Sequence, residues 1–418
     1  MLIFYRLLIN IILILSPIII VFRLLKSKED PIRFREKFCF FSKKKQNRKL
    51  IWFHGASVGE LQSIIPLIEK FEKNKKIKQI LITSNTLSSS KILDEYKFKK
   101  VIHQFFPIDT NSFSKKFLNY WEPSAAFFID SELWPNMINN LNKRDIPLVL
   151  LNARITKKTF QKWNIIGGFA KEIFSKINFC FPANKESKIY LSKLGAKKIK
   201  FIGNLKYSQL ENEKLFINKK VKNFIMSKKS WCASSTHDTE EKFCGIIHIE
   251  LKKKYKNLLT IIIPRHINRV NKIKSELEEL NLKVHLHEPI KKINKNIDIY
   301  LVNTYGQTKS FFNECKNIFL GGSLIEHGGQ NPLEAARYGC NILHGPNVSN
   351  FKEIYEYLNK IKISTKINNK KKMLQSLNKI FVMNKNSKKI EKKLKIVGKK
   401  ILNSTYKEIS LIINQNEV

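Results

Sequence analysis

Four strings in this sequence place chemically capable side chains directly after apolar runs. After Leu50–His54 comes Gly55-Ala56-Ser57-Val58-Gly59-Glu60. Ser57 followed three residues later by Glu60 has the spacing of a capping box at a helix start. A carboxylate at the end of a strand can equally act as a general base if it faces a ligand. Directly after another apolar strand comes Asp130-Ser131-Glu132-Leu133-Trp134-Pro135-Asn136, two acids in a place that also suits a helix dipole. Pro264-Arg265-His266 follows LLTIII, and the planar fork of Arg265 suits phosphate or carboxylate. The longest string runs from Gly321 to Glu334, GGSLIEHGGQNPLE. Asn331 and Pro332 are ordinary N-cap and first-turn residues, while the glycine pairs allow backbone N–H groups to approach a phosphate. It is neither GxGxxG nor a Walker A loop, so dinucleotide and ATP binding are weakly indicated.

These strings need elements to position them. Short β-branched runs alternate with longer helical patterns over residues 50–365. Strands are expected at Leu50–His54, Gln79–Thr83, Val101–Phe105, Ala125–Asp130, Ile146–Leu151 and Lys198–Ile202. A second set is expected at Trp231–Ser235, Leu258–Pro264, Lys283–His287, Asp298–Val302, Asn317–Leu320 and Asn341–His344. Strand–helix alternation implies parallel sheets, and this many strands imply two doubly wound domains. The polar strings sit at strand ends, where open parallel sheets bind ligands, which suggests a cleft between facing domains. The charged stretch Glu211–Lys229 is the expected linker. The boundaries expected are an anchor over 1–25, a first domain over 26–212, a second over 213–395 and a terminal helix over 396–418 that packs back on the first.

The amino-terminal run Leu7–Phe22 is apolar apart from Asn10, Ser16 and Pro17. Sixteen residues reach about 24 Å as a helix, and the preceding LIFY with Arg6 brings the span near the ~30 Å hydrocarbon core. No small-residue cleavage site follows, and Arg23, Lys26, Lys28, Arg33, Arg35 and Lys37 would hold the body on the cytoplasmic side. The expectation is a single membrane-crossing anchor, with an interfacial helix as second choice.

Lys and Arg total 77 against 34 Asp and Glu, a formal charge of +43. The lysines are dispersed and no nucleic-acid-binding signature accompanies them, so nucleic acid is not an expected partner. Cysteines 39, 180, 232, 244, 315 and 340 form no CxxC and pair with no histidine at zinc spacing, so neither a disulfide framework nor a metal is expected.

The strings HGASVGE, ELWPN, NARIT, GNLK, STHDTEE, PRH and GGSLIEHGGQNPLEAA, in this order behind an apolar segment, resemble the bacterial transferases of 3-deoxy-D-manno-octulosonic acid (Kdo), a family of GT-B glycosyltransferases. The resemblance runs to about Phe351. It implies inverting transfer of Kdo from CMP-Kdo to the lipid A precursor lipid IVA, in lipopolysaccharide synthesis at the inner membrane. It implies no metal cofactor. Glu60 matches the family's proton acceptor, and Asp130 and Lys206 match positions that support the transition state. Pro264, Arg265, Tyr305, Gly306, Gln307, Asn331, Pro332, Leu333 and Glu334 match segments that bind CMP. Asp130 and Gln307 stand where the family typically has Glu, Asn303 and Ser208 where it has Asp, and Gln330 where it has His. Two other readings are a GT-B enzyme using a UDP-sugar on a membrane lipid and a non-catalytic basic membrane-tethered module.

Overall fold

The computed structural model describes residues 1–46, 49–209, 217–289, 293–382 and 387–415. The chain divides into two compact units, Met1–Leu210 with Val397–Val418, and Glu211–Ile396. Each is built on a wholly parallel sheet, giving the two Rossmann-like units of the GT-B class.

The first unit carries β1 (Leu50–His54), β2 (Gln79–Ser84), β3 (Val101–Phe105), β4 (Ala125–Ile129), β5 (Leu148–Ala153) and β6 (Phe179–Pro182). Their order is β3-β2-β1-β4-β5-β6. Every residue of β1 and β4 is buried, because helices cover both faces of the sheet. Alternate side chains go to opposite cores: Trp52, Phe128 and Leu150 to one, Phe53, Phe127 and Leu151 to the other. The second core also receives Ile409, Ile412 and Ile413 from the terminal helix Ser387–Gln415, and Tyr406 packs on Phe71 with ring centroids 4.8 Å apart.

The second unit carries β7 (Lys229–Thr236), β8 (Leu258–Pro264), β9 (Val284–Leu286), β10 (Ile299–Leu301), β11 (Asn317–Leu320), β12 (Asn341–His344) and β13 (Ser364–Lys366). The order is β13-β12-β11-β7-β8-β10-β9. Its core gathers Trp231, Ala233, Ile262, Phe319 and Leu343 against the helix Glu240–Lys254.

Three expectations change. Lys198–Ile202 is not a strand; its Ile199 makes an isolated bridge to Cys180, and the sixth strand is Phe179–Pro182. That strand is four residues long and closes on a proline, too short for a period-two pattern to show. β13 is similarly short. Within the expected linker, residues 211–216 lie outside the described part. Lys219–Met226 is a helix burying Val221 and Ile225, and Lys229 already begins β7. Its eight residues carry two buried apolar positions among lysines, so the apolar period is masked by charge.

Residues Leu2–Leu25 form one helix, α1, long and apolar enough to cross a membrane. Pro17 lies inside it and lacks an N–H for the carbonyl of Leu13. The Ser16 hydroxyl donates to that carbonyl instead, at 2.6 Å, so the helix continues.

Candidate active site

Chain order and strand order diverge in the first sheet between β1 and β4, which lie side by side while β2 and β3 run off to one edge. Such a switch point opens a crevice at the carboxyl ends of the two strands. The segment holding Glu60 follows β1 and Asp130 follows β4, so both carboxylates are delivered to it.

Glu60 lies in the first turn of α2 (Val58–Glu72). The capping box is present: Ser57 is the N-cap and its hydroxyl oxygen accepts from Glu60 N at 3.4 Å. In return the carboxylate accepts from Ser57 Oγ at 2.8 Å and from Ala56 N at 2.7 Å. Capping does not exhaust the group, since a carboxylate offers about four lone-pair sites and two are occupied. Burial, with the negative charges of Asp130 and Glu132 added, raises its pKa from 4.5 to about 7. Glu60 is therefore held in one orientation and titrates near neutrality.

Asp130 has a left-handed backbone, φ 56°, and so does Asn152 at φ 52°. Both residue types tolerate that region better than others do. Asn152 Nδ2 donates to Asp130 Oδ1 at 2.8 Å, and Asn152 Oδ1 accepts from Leu205 N at 2.9 Å. This buried amide ties the end of β4 to the 3-10 turn Leu205–Ser208. The turn carries Lys206, whose Nζ stands 3.7 Å from Asp130 Oδ2. Thus Glu60, Asp130 and Lys206 belong to one electrostatic group. Asn152, inside NARIT, is the residue that sequence reasoning missed; its only sequence signal was an amide directly after an apolar strand. Beside this group Trp134 Nε1 donates to Glu132 Oε2 at 3.0 Å and to His54 Nε2 at 3.1 Å. The Ser208 hydroxyl donates to the carbonyl of Leu205, so that residue serves the turn itself.

In the second unit the switch lies at β7, with β8 on one side and β11 on the other. The loops after β7 and β11 are joined by Glu240, which is buried. Its carboxylate accepts from four amides: His237 at 3.0 Å, Gly322 at 2.7 Å, Ser323 at 3.2 Å and Leu324 at 3.0 Å. Of the N–H groups in this loop expected to approach a phosphate, those of residues 322–324 are taken by Glu240. The glycine requirement also has a different cause. A Cβ on Gly321 would stand 2.6 Å from Ser235 O and from Thr236 Cα, so the close approach is to β7. Sequence reasoning missed Glu240 as well, because it stands 82 to 84 residues before the amides of Gly322, Ser323 and Leu324 and nothing local couples them.

Arg265 follows β8, is exposed, and its N–H donates to Thr236 O at 3.0 Å, with Pro264 closing the strand. The neighbouring rings of His237 and His327 lie 4.2 Å apart between centroids. Burial, followed by the positive fields of His327, His266, Arg265 and Arg269, lowers the His237 pKa to about 4. Arg269 nearby is paired with Asp238 and Glu241, so the cation offered to an arriving anion is Arg265. Tyr305 is 65% exposed, Gly306 has φ 82°, and Gln307 precedes the helix Thr308–Glu314. Asn331 caps the helix Pro332–Arg337 by accepting from Leu333 N at 3.1 Å; Pro332 and Leu333 are buried, while Glu334 is half-buried. Asn303 accepts from Glu288 N at 2.8 Å and donates to Glu288 O at 2.7 Å. An aspartate there could make only the first bond.

Residues 32–209 match the family model described as 3-deoxy-D-manno-octulosonic-acid transferase (kdotransferase). A 3-deoxy-D-manno-octulosonic acid transferase of Rickettsia bellii is 33% identical over 356 residues, 84% of each chain. The chain belongs to the Kdo transferase family. The Haemophilus influenzae transferase of the same name is 28% identical over 86% of each chain. Among solved structures, the UDP-GlcNAc 2-epimerase of Neisseria meningitidis superposes with a TM-score of 0.60 at 15% identity, over 88% of this chain and all of its own, which shows a shared fold. The family model lies within the first unit, whereas the alignment with the Rickettsia bellii protein is longer than either unit and so takes in both.

Proposed function

We propose that this Kdo transferase moves Kdo from CMP-Kdo to a hydroxyl of a lipid A precursor of the lipid IVA kind, with inversion at the anomeric carbon, in lipopolysaccharide synthesis. The observation that carries it is the grouping of Glu60, Asp130 and Lys206 at the switch point of the first unit, in a chain of this family. Glu60 is the base: its carboxylate takes the proton of the acceptor hydroxyl as that oxygen attacks the anomeric carbon of Kdo. The bond from that carbon to the phosphate oxygen breaks, and CMP leaves with the bonding electrons. A carboxylic acid with a pKa of about 7 is partly ionised at neutral pH and basic enough to accept the proton. Lys206 offsets negative charge as the transition state develops, and Asp130 holds Lys206 in place and keeps the Glu60 pKa high.

The donor's cytidine phosphate is assigned to the second unit, on Pro264 and Arg265, on Tyr305, Gly306 and Gln307, and on Asn331 through Glu334. The exposed guanidinium of Arg265 at the end of β8 supports an anionic ligand there. No metal cofactor is required in this reading, and among the described residues no group of three or more His, Cys, Asp and Glu side chains is gathered as a metal site. The apolar α1 anchors the enzyme to the inner membrane, with the catalytic body on the cytoplasmic side where the lipid acceptor is reached.

The experiment is incubation of purified protein with CMP-Kdo and tetra-acylated lipid A precursor, with products weighed by mass spectrometry. A gain of one or more Kdo masses is expected, together with CMP. No transfer from CMP-Kdo, or transfer from a UDP-sugar instead, overturns the assignment.

A further inference from the structure

α1 is apolar all round, yet only one of its faces is covered. Ile9, Ser16 and Ile20 are buried, and Leu2, Tyr5 and Leu13 are partly covered. These positions recur every three or four residues, so they form one stripe along the helix. On the opposite side Ile3, Ile14, Ile18 and Leu25 are 74%, 75%, 71% and 80% exposed. The helix belongs to the first unit and is covered on one side at Ile9, Ser16 and Ile20.

Both of its ends are tied to that unit. Near the start, Tyr5 Oη donates to Asp109 Oδ2 at 2.8 Å. Arg6 donates to Asn136 Oδ1 at 2.9 Å and to Asn111 Oδ1 at 3.2 Å. Asp109, within the PIDT string, is fully buried and also accepts from Ser114 Oγ and from the N–H groups of Asn136 and Met137. At the other end Arg23 pairs with buried Glu29 at 2.6 Å, and Glu29 also receives Lys37 Nζ at 2.6 Å. The Lys37 carbonyl accepts from Ile108 N at 2.9 Å, one residue from Asp109. Arg23 is thus linked, through Glu29 and Lys37, to the segment that Tyr5 reaches directly.

A crossing helix cannot make both attachments. Its 24 residues extend about 36 Å, and crossing a hydrocarbon layer of ~30 Å would carry the Tyr5 end to the far side. Tyr5 and Arg6 would leave their partners, and the buried Asp109 carboxylate would lose a donor. We infer that α1 lies in the plane of the membrane, docked by one face on the first unit, with the opposite face immersed in one leaflet of an anionic phospholipid bilayer. Lys26, Lys28 and Arg35, exposed just beyond the helix, supply the charge complementary to that leaflet. Ile32 and Phe40, 80% and 59% exposed, extend the apolar surface past the helix end.

The inference rests on the membrane anchoring proposed above and deepens it. To test it, a cysteine-containing peptide is appended before Met1 in one version of the full chain and after Val418 in another. Each is expressed in bacteria, and inside-out and right-side-out inner-membrane vesicles are treated with an impermeant maleimide. The six native thiols are buried, so the appended ones report. Both peptides are expected to react in the same vesicle orientation; reaction in opposite orientations means a crossing helix and overturns the inference. Ile14→Asp with Ile18→Asp is expected to move most of the protein from the membrane to the soluble fraction, and full retention overturns immersion of that face. Kdo transfer by the same vesicles is measured alongside, so failure of the proposed reaction is read separately from failure of the topology.

Discussion

Asn152 holds Asp130: its Nδ2 donates to Asp130 Oδ1 at 2.8 Å while its own carbonyl oxygen receives Leu205 N. One buried amide thus sets the distance between the carboxylate after β4 and the turn bearing Lys206. Replacement Asn152→Asp keeps a side chain that tolerates the left-handed backbone but removes the donor and sets a second negative charge against Asp130. A lost hydrogen bond to a charged group amounts to about 1.5–3 kcal/mol. We expect kcat to fall roughly 10- to 100-fold, at about 1.4 kcal/mol per factor of ten, with the KM for CMP-Kdo little changed. Steady-state kinetics checks this, and unchanged kcat refutes the positioning role.

The Glu60 pKa of about 7 has consequences for activity and for stability, with opposite dependence on pH. As the base, Glu60 must be ionised, so kcat/KM should fall about tenfold per pH unit below ~7. Asp130→Asn removes a negative neighbour and should shift that limb to lower pH. Because the folded-state pKa is raised, the protonated form is favoured in the folded protein. The resulting stability is present below the unfolded value near 4.5 and is lost as pH rises through about 7. Glu60→Gln keeps the capping box, since glutamine serves at that position. It should abolish transfer, leave CMP binding intact, and match or exceed the parent's stability at pH 8. Near-normal turnover in that variant would return Glu60 to capping alone.

Glu240→Gln leaves one acceptor oxygen where a carboxylate now accepts from four amides. Buried donors left without partners cost about 1–3 kcal/mol each. Denaturant unfolding should show a loss of at least about 2 kcal/mol. Calorimetry should show weaker CMP binding, because the loop after β11 is no longer pinned to the end of β7. Unchanged stability would mean that the amides find other partners.

Arg265→Ala removes an exposed guanidinium and leaves its backbone bond to Thr236 in place. The fold should be unaffected, while CMP affinity drops roughly tenfold or more, the scale of a charge-assisted contact to phosphate. Titration calorimetry decides it, and equal affinity removes Arg265 from the phosphate.

Much of this protein was written locally. Fully buried parallel strands read as continuous apolar runs, so β1, β4 and β8 were legible from composition alone, as was the capping pair Ser57 and Glu60. Short strands were not: Phe179–Pro182 and Ser364–Lys366 depend on neighbours for their hydrogen bonds and carry no period of their own. Pairings across long separations were invisible for the same reason. No pattern within STHDTEE says that Glu240 accepts the amides of Gly322, Ser323 and Leu324, and none within PIDT says that Asp109 receives Tyr5. The sequence by itself determined the longer apolar strands, the polar strings that follow them and the apolar character of the first helix. Only the tertiary structure decided which loop amides are already occupied, which residues surround Glu60 and shift its pKa, and which face of that helix is left uncovered. Those are matters of distance between residues far apart in the chain, set when buried polar groups find the partners that water no longer supplies.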